Sequence, residues 1–117
     1  MTHVEIIYNN NIIIGFKMKG HAGFNLFGPD ILCASLSTAS QMTINGILDW
    51  IGLGADECIK EENEEEGILE FEIPRLFASI TTNQLFKSFE MFIEQLSEQY
   101  KDFVKLERRD EHDNKNM

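Results

Sequence analysis

Val4, Ile6 and Tyr8 alternate with His3, Glu5 and Ile7, and a second alternation places Ile12, Ile14, Phe16 and Met18 on one face. Asn9-Asn10-Asn11 lies between them and supplies residues that tolerate left-handed backbone, so the segment reads as a β-hairpin with one buried side. Lys17 and Lys19 mark the wetter face. From Gly20 to Pro29 the pattern breaks into a loop holding Gly20, Gly23, Gly28 and Pro29, and Asp30 stands where a helix N-cap belongs. Leu32, Leu36, Ala39, Thr43, Ile47 and Trp50 then recur at helical spacing, with Gly52 and Gly54 as the stop. Gly46 costs that helix about 1 kcal/mol relative to Ala and is its weak point.

Two further strands are expected, Ala55 to Lys60 with Cys58 in the middle, and Gly67 to Ile73 with Leu69, Phe71 and Ile73 facing one way. The acidic run Glu61-Glu62-Asn63-Glu64-Glu65-Glu66 between them reads as a solvated turn, and alternatively as a docking site for a cationic partner. Thr81 followed by Gln84 resembles a capping box, opening a helix striped by Leu85, Phe89, Phe92, Ile93, Leu96 and Tyr100. Phe103 to Arg108 is a final edge strand, and residues 110–117 are polar enough to fray. The order is ββαββαβ. It predicts an α+β two-layer sandwich, a mixed sheet with two helices on one face, formed by a single domain over residues 1–117.

Twenty acidic against ten basic residues give a formal charge of −10. That balance opposes nucleic-acid binding, which depends on cations neutralising phosphates, and suits a basic partner. The start of the chain lacks a basic segment followed by an apolar one, and no eighteen apolar residues run uninterrupted. A cytoplasmic protein with no membrane association and two reduced cysteines is expected. The three His and two Cys lack metal-ligand spacing, and the glycines lack a phosphate-loop ending, so neither metal nor cofactor is expected.

The residues with chemical potential are His21, at the end of a strand, and Cys33, in the first turn of the next helix. Unpaired N–H groups and the positive end of the dipole at a helix start favour a thiolate and an oxyanion. A neighbouring imidazole accepts the thiol proton and returns it to a leaving amine. The plainer alternative makes Cys33 a small packed hydrophobe and His21 an ordinary strand-end residue. Against it, Asp30, Ser37 and Ser40 share the Cys33 face and keep it small or polar for two turns. Asp30 is read as the helix cap and, alternatively, as an orienting carboxylate for His21. No third triad member is visible, which leaves a Cys–His dyad. Cys58 reads as packing.

Gly20-His21-Ala22, Gly28, Asp30-Ile31-Leu32-Cys33-Ala34 and Ser37 together resemble the signature of the ribosomal-processing cysteine proteases called Prp, and the likeness in size and element order extends over the whole chain. Tyr100-Lys101-Asp102 sits where similar members pass from the last helix to the last strand. The resemblance implies a bacterial cytoplasmic endopeptidase and homodimer. Its implied substrate is a precursor of large-subunit ribosomal protein number twenty-seven, from which it removes an N-terminal extension. It makes Cys33 the nucleophile and His21 the general base and acid, and it leaves Asp30 and Ser37 as orienting or substrate-contacting positions. Gly20 and Gly28 match a mobile loop. Within that loop Phe24, Leu26, Phe27 and Pro29 depart from many relatives, and the three large apolar side chains either line a pocket or pack on a dimer partner. Two rival functions stay open: a non-catalytic acidic module that binds a basic ribosomal protein or peptide, and thiol-based redox sensing at Cys33.

Overall fold

The computed structural model describes residues 1–21 and 28–111, with residues 28–30 by their backbone alone. The opening alternation forms β1 (Thr2–Asn9) and β2 (Ile12–Lys19), an antiparallel hairpin. Asn10 and Asn11 turn it with φ of 54° and 67°, the left-handed pair that a two-residue hairpin loop needs. Ile7 faces Gly15 but Tyr8 faces Ile13, so β2 bulges by one residue. The bulge breaks the expected alternation: Ile13, Ile14 and Phe16 are all buried, while Ile12 is only half-buried.

The long helix α1 (Gly28–Ile51) runs unbroken through Gly46. It starts two residues before Asp30, so Asp30 lies inside the first turn and is not its cap. Pro29 fits there, because a first-turn residue needs no N–H. Leu32, Leu36, Ser40, Ile44 and Ile47 form its buried face, and Ile51 rather than Trp50 continues it; Trp50 is 61% exposed. Residues Ile31–Ile51 are long and apolar enough to cross a membrane by length and composition, but Leu32, Leu36, Ile44 and Ile47 on the inward side belong to the domain core.

Where a strand from Ala55 to Lys60 was expected, a one-turn helix, α2 (Ala55–Cys58), forms first. Glu57 Oε1 accepts the Gly54 N–H at 3.0 Å and closes that turn. Cys58 therefore ends a helix and does not sit mid-strand. β3 (Ile59–Asn63) continues into the acidic run and pairs antiparallel with β4 (Ile68–Glu72), so only residues 64–67 make the turn. Backbone pairing tolerates acidic side chains here because β3 is an edge strand.

After a short 3-10 turn at Arg75–Phe77, α3 (Ile80–Gln99) begins one residue earlier than the expected cap at Thr81. Ser79 Oγ accepts the Thr82 N–H at 3.2 Å and Thr82 Oγ1 accepts the Ser79 N–H at 2.8 Å, the reciprocal bonds of a capping box made by Thr. The buried face is centred one side of the expected stripe: Thr82, Phe86, Phe89, Ile93 and Leu96 are buried, whereas Leu85 and Tyr100 are exposed and Phe92 is half-buried. β5 (Val104–Asp110) follows and includes Asp110, which was expected to fray; Arg75 further holds Glu111 at 3.2 Å. Residues 112–117 lie outside the described part.

The sheet order is β3-β4-β2-β1-β5, with β5 parallel to β1 and the other neighbours antiparallel. Both long helices cover one face, as the α+β sandwich predicts. Between the layers Phe16 stacks at 4.4 Å from Phe89 and 5.8 Å from Phe71. The opposite face carries ion pairs, Arg109 with Glu5 at 3.2 Å and Lys17 with Glu70 at 3.9 Å.

Near the hairpin turn, Glu90 of α3 is 5% exposed and takes bonds from Tyr8 at 2.5 Å and Arg108 Nε at 2.9 Å, with Lys87 Nζ at 3.4 Å. Burial alone raises its carboxyl, but the bonds from Tyr8 and Arg108 and the charges of Lys87 and Arg108 outweigh this, and the result lies below the ordinary value.

Candidate active site

At the other end of the hairpin, β2 leaves the sheet through Gly20, whose φ is +97°. The left-handed backbone and the approach of the Met1 carbonyl to the missing Cβ both require glycine there. Gly20 N–H donates to Gly67 O at 3.0 Å, and Thr2 Oγ1 donates to Gly20 O at 3.4 Å. The exit from β2 is thus fastened on two sides, and His21 follows it as an exposed residue. Its Nε2 lies 3.0 Å from the main-chain oxygen of Glu65 in the β3–β4 turn.

α1 lays a row of side chains across the same region. Cys33, Leu36, Ser37, Ser40 and Gln41 follow helical spacing along one side and line an open cleft of about 360 Å³. Thr2, Met18, Gly20 and His21 form its floor, and Glu62, Asn63, Glu64 and Gly67 its far wall, with Ile68 and Leu69 beneath. Cys33 is half-buried and Ser37 exposed. Ser40, 3% exposed, donates to Ser37 O at 3.0 Å.

Four of the six expected site residues, Gly20, His21, Cys33 and Ser37, therefore meet in one cleft. Gly28 opens α1 and Asp30 lies in its first turn, with the Asp30 side chain outside the described part. Gly23, Phe24, Leu26 and Phe27 also lie outside it. Cys33 stands in the second turn of α1, not the first. The N–H groups without helical acceptors belong to the first four residues, one turn earlier. Helical side chains lean toward the N-terminus, so the Cys33 side chain is directed back over that turn.

Cys58 is in a different environment. It has no exposed surface, and burial, followed by the neighbouring Glu57 charge, pushes its thiol above the ordinary value. It lies outside the cleft lining. Among the described residues no three His, Cys, Asp or Glu side chains converge as metal ligands.

The acidic run was expected chiefly as a solvated turn and, alternatively, as a docking site for a cationic partner; its place on the wall of this cleft is the part the sequence did not show. Glu61 to Glu66 reads as solvated turn because its composition is polar throughout; only the pairing of β2 with β4, Met18 opposite Leu69, carries it to the cleft. The one local sign is Gly67 closing the run, with a left-handed φ of +66°.

A half-buried thiol on a helix and an imidazole at a strand end, sharing one open cleft, are the parts a cysteine hydrolase requires. The family described as cysteine protease Prp matches residues 1–105, and the chain belongs to that family of cysteine proteases. Solved structures with the same fold include SMU.848 from Streptococcus mutans, with a TM-score of 0.78 and 23% identity, covering 94% of this chain and 95% of that one. The essential ribosomal processing protease Prp from S. aureus, in complex with a substrate peptide, gives a TM-score of 0.76 at 19% identity over 93% of this chain and 100% of that chain. The same S. aureus protease with a covalently linked product peptide gives 0.72 at 20% identity, again over 93% and 100%. Among curated proteins no significant match is found.

Proposed function

We propose that this protein is a cytoplasmic processing endopeptidase that removes the N-terminal extension of large-subunit ribosomal protein number twenty-seven, using Cys33 as nucleophile and His21 as general base and acid. The observation that carries this reading is the meeting of His21 and Cys33 in one cleft of a Prp-family chain. The S. aureus protease named for ribosomal processing, bound to substrate and to covalently linked product peptides, supports the substrate class.

In the reaction, His21 accepts the Cys33 thiol proton and Sγ attacks the scissile carbonyl carbon. N–H groups in the first turn of α1 stabilise the oxyanion. The C–N bond breaks, the amine leaves with the proton from His21, and a thioester remains. Water, deprotonated by His21, then attacks the thioester, releasing a carboxylate and restoring the thiol. The acidic wall at Glu62 and Glu64 suits a basic substrate.

The homodimer implied by the family resemblance is seated on the outer face of α1. There Ile31 and Met42, each 69% exposed, flank Ala34, Ser35, Thr38 and Ala39 in an apolar groove completed by Phe92 of α3. A groove of this kind between two helices accepts the same helix from a second copy.

Incubating the purified protein with the precursor under reducing conditions and measuring intact masses tests the activity. Loss of the extension with wild type and none with Cys33→Ala is the expected result. A precursor left whole by folded wild type refutes it. Full affinity in both proteins with no cleavage in either establishes the acidic binding module instead.

A further inference from the structure

The family assignment and the dyad leave open what holds the imidazole, since no Asp or Asn side chain is seen bonding it among the described residues. A main-chain atom does so. Glu65 O lies 3.0 Å from His21 Nε2. A carbonyl oxygen only accepts hydrogen bonds, so the proton must be on Nε2, and in the neutral ring the lone pair is then left on Nδ1. No described residue bonds Nδ1. We propose that the Glu65 carbonyl is the positioning group of the dyad, and that Nδ1 is the nitrogen that takes the Cys33 proton. The inference rests on the protease reading of the cleft.

The surrounding backbone is arranged to keep that carbonyl in place. Gly67 O accepts the Gly20 N–H at 3.0 Å, so the β3–β4 turn holds both the residue before the imidazole and the imidazole itself. Gly67 has a φ of +66°, and a Cβ there would lie 2.5 Å from Gly20 O and 3.1 Å from His21 Cε1. Only glycine lets the turn approach this closely. Asn63 Oδ1 accepts the Glu66 N–H at 3.2 Å, which fixes the peptide following Glu65. When His21 becomes cationic, both nitrogens carry protons and the carbonyl dipole still receives the one on Nε2. This is the service an orienting side chain performs in other nucleophile–histidine sites.

The test combines a tautomer measurement with kinetics. Protein with nitrogen-15 imidazoles is examined by long-range proton–nitrogen correlation above the histidine titration range, with His21 assigned by His21→Gln. The expected spectrum shows His21 almost wholly as the Nε2–H form, to a greater extent than His3, and unchanged by Glu65→Ala, which retains the carbonyl. Replacing residues 64–67 with Asn-Gly joins Asn63 to Ile68, which already pair across the hairpin. That variant should relax His21 toward the mixture of a free imidazole and lower kcat at least tenfold, with KM within about threefold. Gly67→Ala, which keeps the turn length, should move both readouts in the same direction.

A His21 ring in the Nδ1–H form in wild type overturns the proposal without any variant. So does a folded turn variant that retains full kcat beside an active wild type. An inactive wild type overturns the protease reading itself, so the two failures are distinguishable.

Discussion

The two cysteines should differ sharply in reactivity, and the structure sets the scale. Cys58 carries no exposed surface, and its thiol is raised by burial and by Glu57, so the native state presents almost no thiolate to a reagent. Labelling must pass through molecules opened around it. For 117 residues, at roughly 0.05 kcal/mol per residue or more, global opening costs about 6 kcal/mol, an open fraction near 10⁻⁴. Release of α2 alone, a single turn, is cheaper. At about 3 kcal/mol it would leave roughly one molecule in a hundred open. Cys33 needs neither event, because it is half-buried beside an open cleft.

Cys33 should therefore be alkylated between about 10² and 10⁴ times faster than Cys58 at neutral pH. Timed iodoacetamide pulses, quenched and mapped by peptide mass, measure both sites in one tube, so reagent concentration cancels. In strong guanidinium the ratio should collapse toward one. Labelling of Cys58 within tenfold of Cys33 in native buffer would refute the burial argument and the assignment of separate roles to the two thiols.

Other consequences follow from particular contacts. Glu90→Gln removes the counter-charge of Arg108 and Lys87; after discounting for the partial exposure of both cations, the cost is about 2 kcal/mol, read as a lower urea midpoint. Because the folded Glu90 carboxyl lies below its ordinary value, its stabilisation is present above about pH 4.3 and is lost as pH falls through the folded value. The variant should accordingly flatten the acid limb of stability against pH, and an unchanged limb would count against this account. Gly15→Ala sets a Cβ against Phe71 O and 2.8 Å from Glu72 Cα, and should destabilise by about 2 kcal/mol in the same titration. On the proposed pairing of two copies through the α1 groove, Met42→Asp, at a side chain 69% exposed there, should lower the mass read by light scattering to that of one chain while leaving the thermal transition of the fold little changed, and an unchanged mass would count against that seat.

How far the sequence foretold this structure depended on whether a pattern was local. The hairpin, both long helices and the strand at Phe71 were legible because apolar period and turn chemistry lie within a few residues of each other. The errors arose where a local signal had a near-equal competitor. Ser79 caps α3 because Thr82 can answer it, a pairing that the Thr81/Gln84 spacing obscured. Ala55–Cys58 has no period long enough to decide between a turn of helix and a strand, and the Gly54–Glu57 bond decided it. At the site, Cys33 and His21 were visible as chemistry, and Ser37 and Ser40 as the small face of the same helix. The acidic run was visible as an alternative docking site, but its place beside them was not, because that depends on β4 pairing with β2 across a long stretch of intervening chain.

The same topology separates stability from chemistry. Thr2 and Gly20 lie at the cleft end of the β1–β2 hairpin, whereas Tyr8, bonded to Glu90, lies at its turn end. From Thr2 to Tyr8 the strand rise gives about 20 Å. The charged cluster is thus well removed from the cleft, with the Phe16, Phe71 and Phe89 rings packed in the layer between. Two ends at this distance, sharing no side chain, should respond additively. Glu90→Gln should lower stability in proportion with or without Cys33→Ala, and the Cys33 alkylation rate should not follow the stability loss until the unfolded fraction becomes appreciable. A domain whose ionic lock lies away from its cleft thiol can keep an open, polar and partly exposed cleft without weakening the core beneath it.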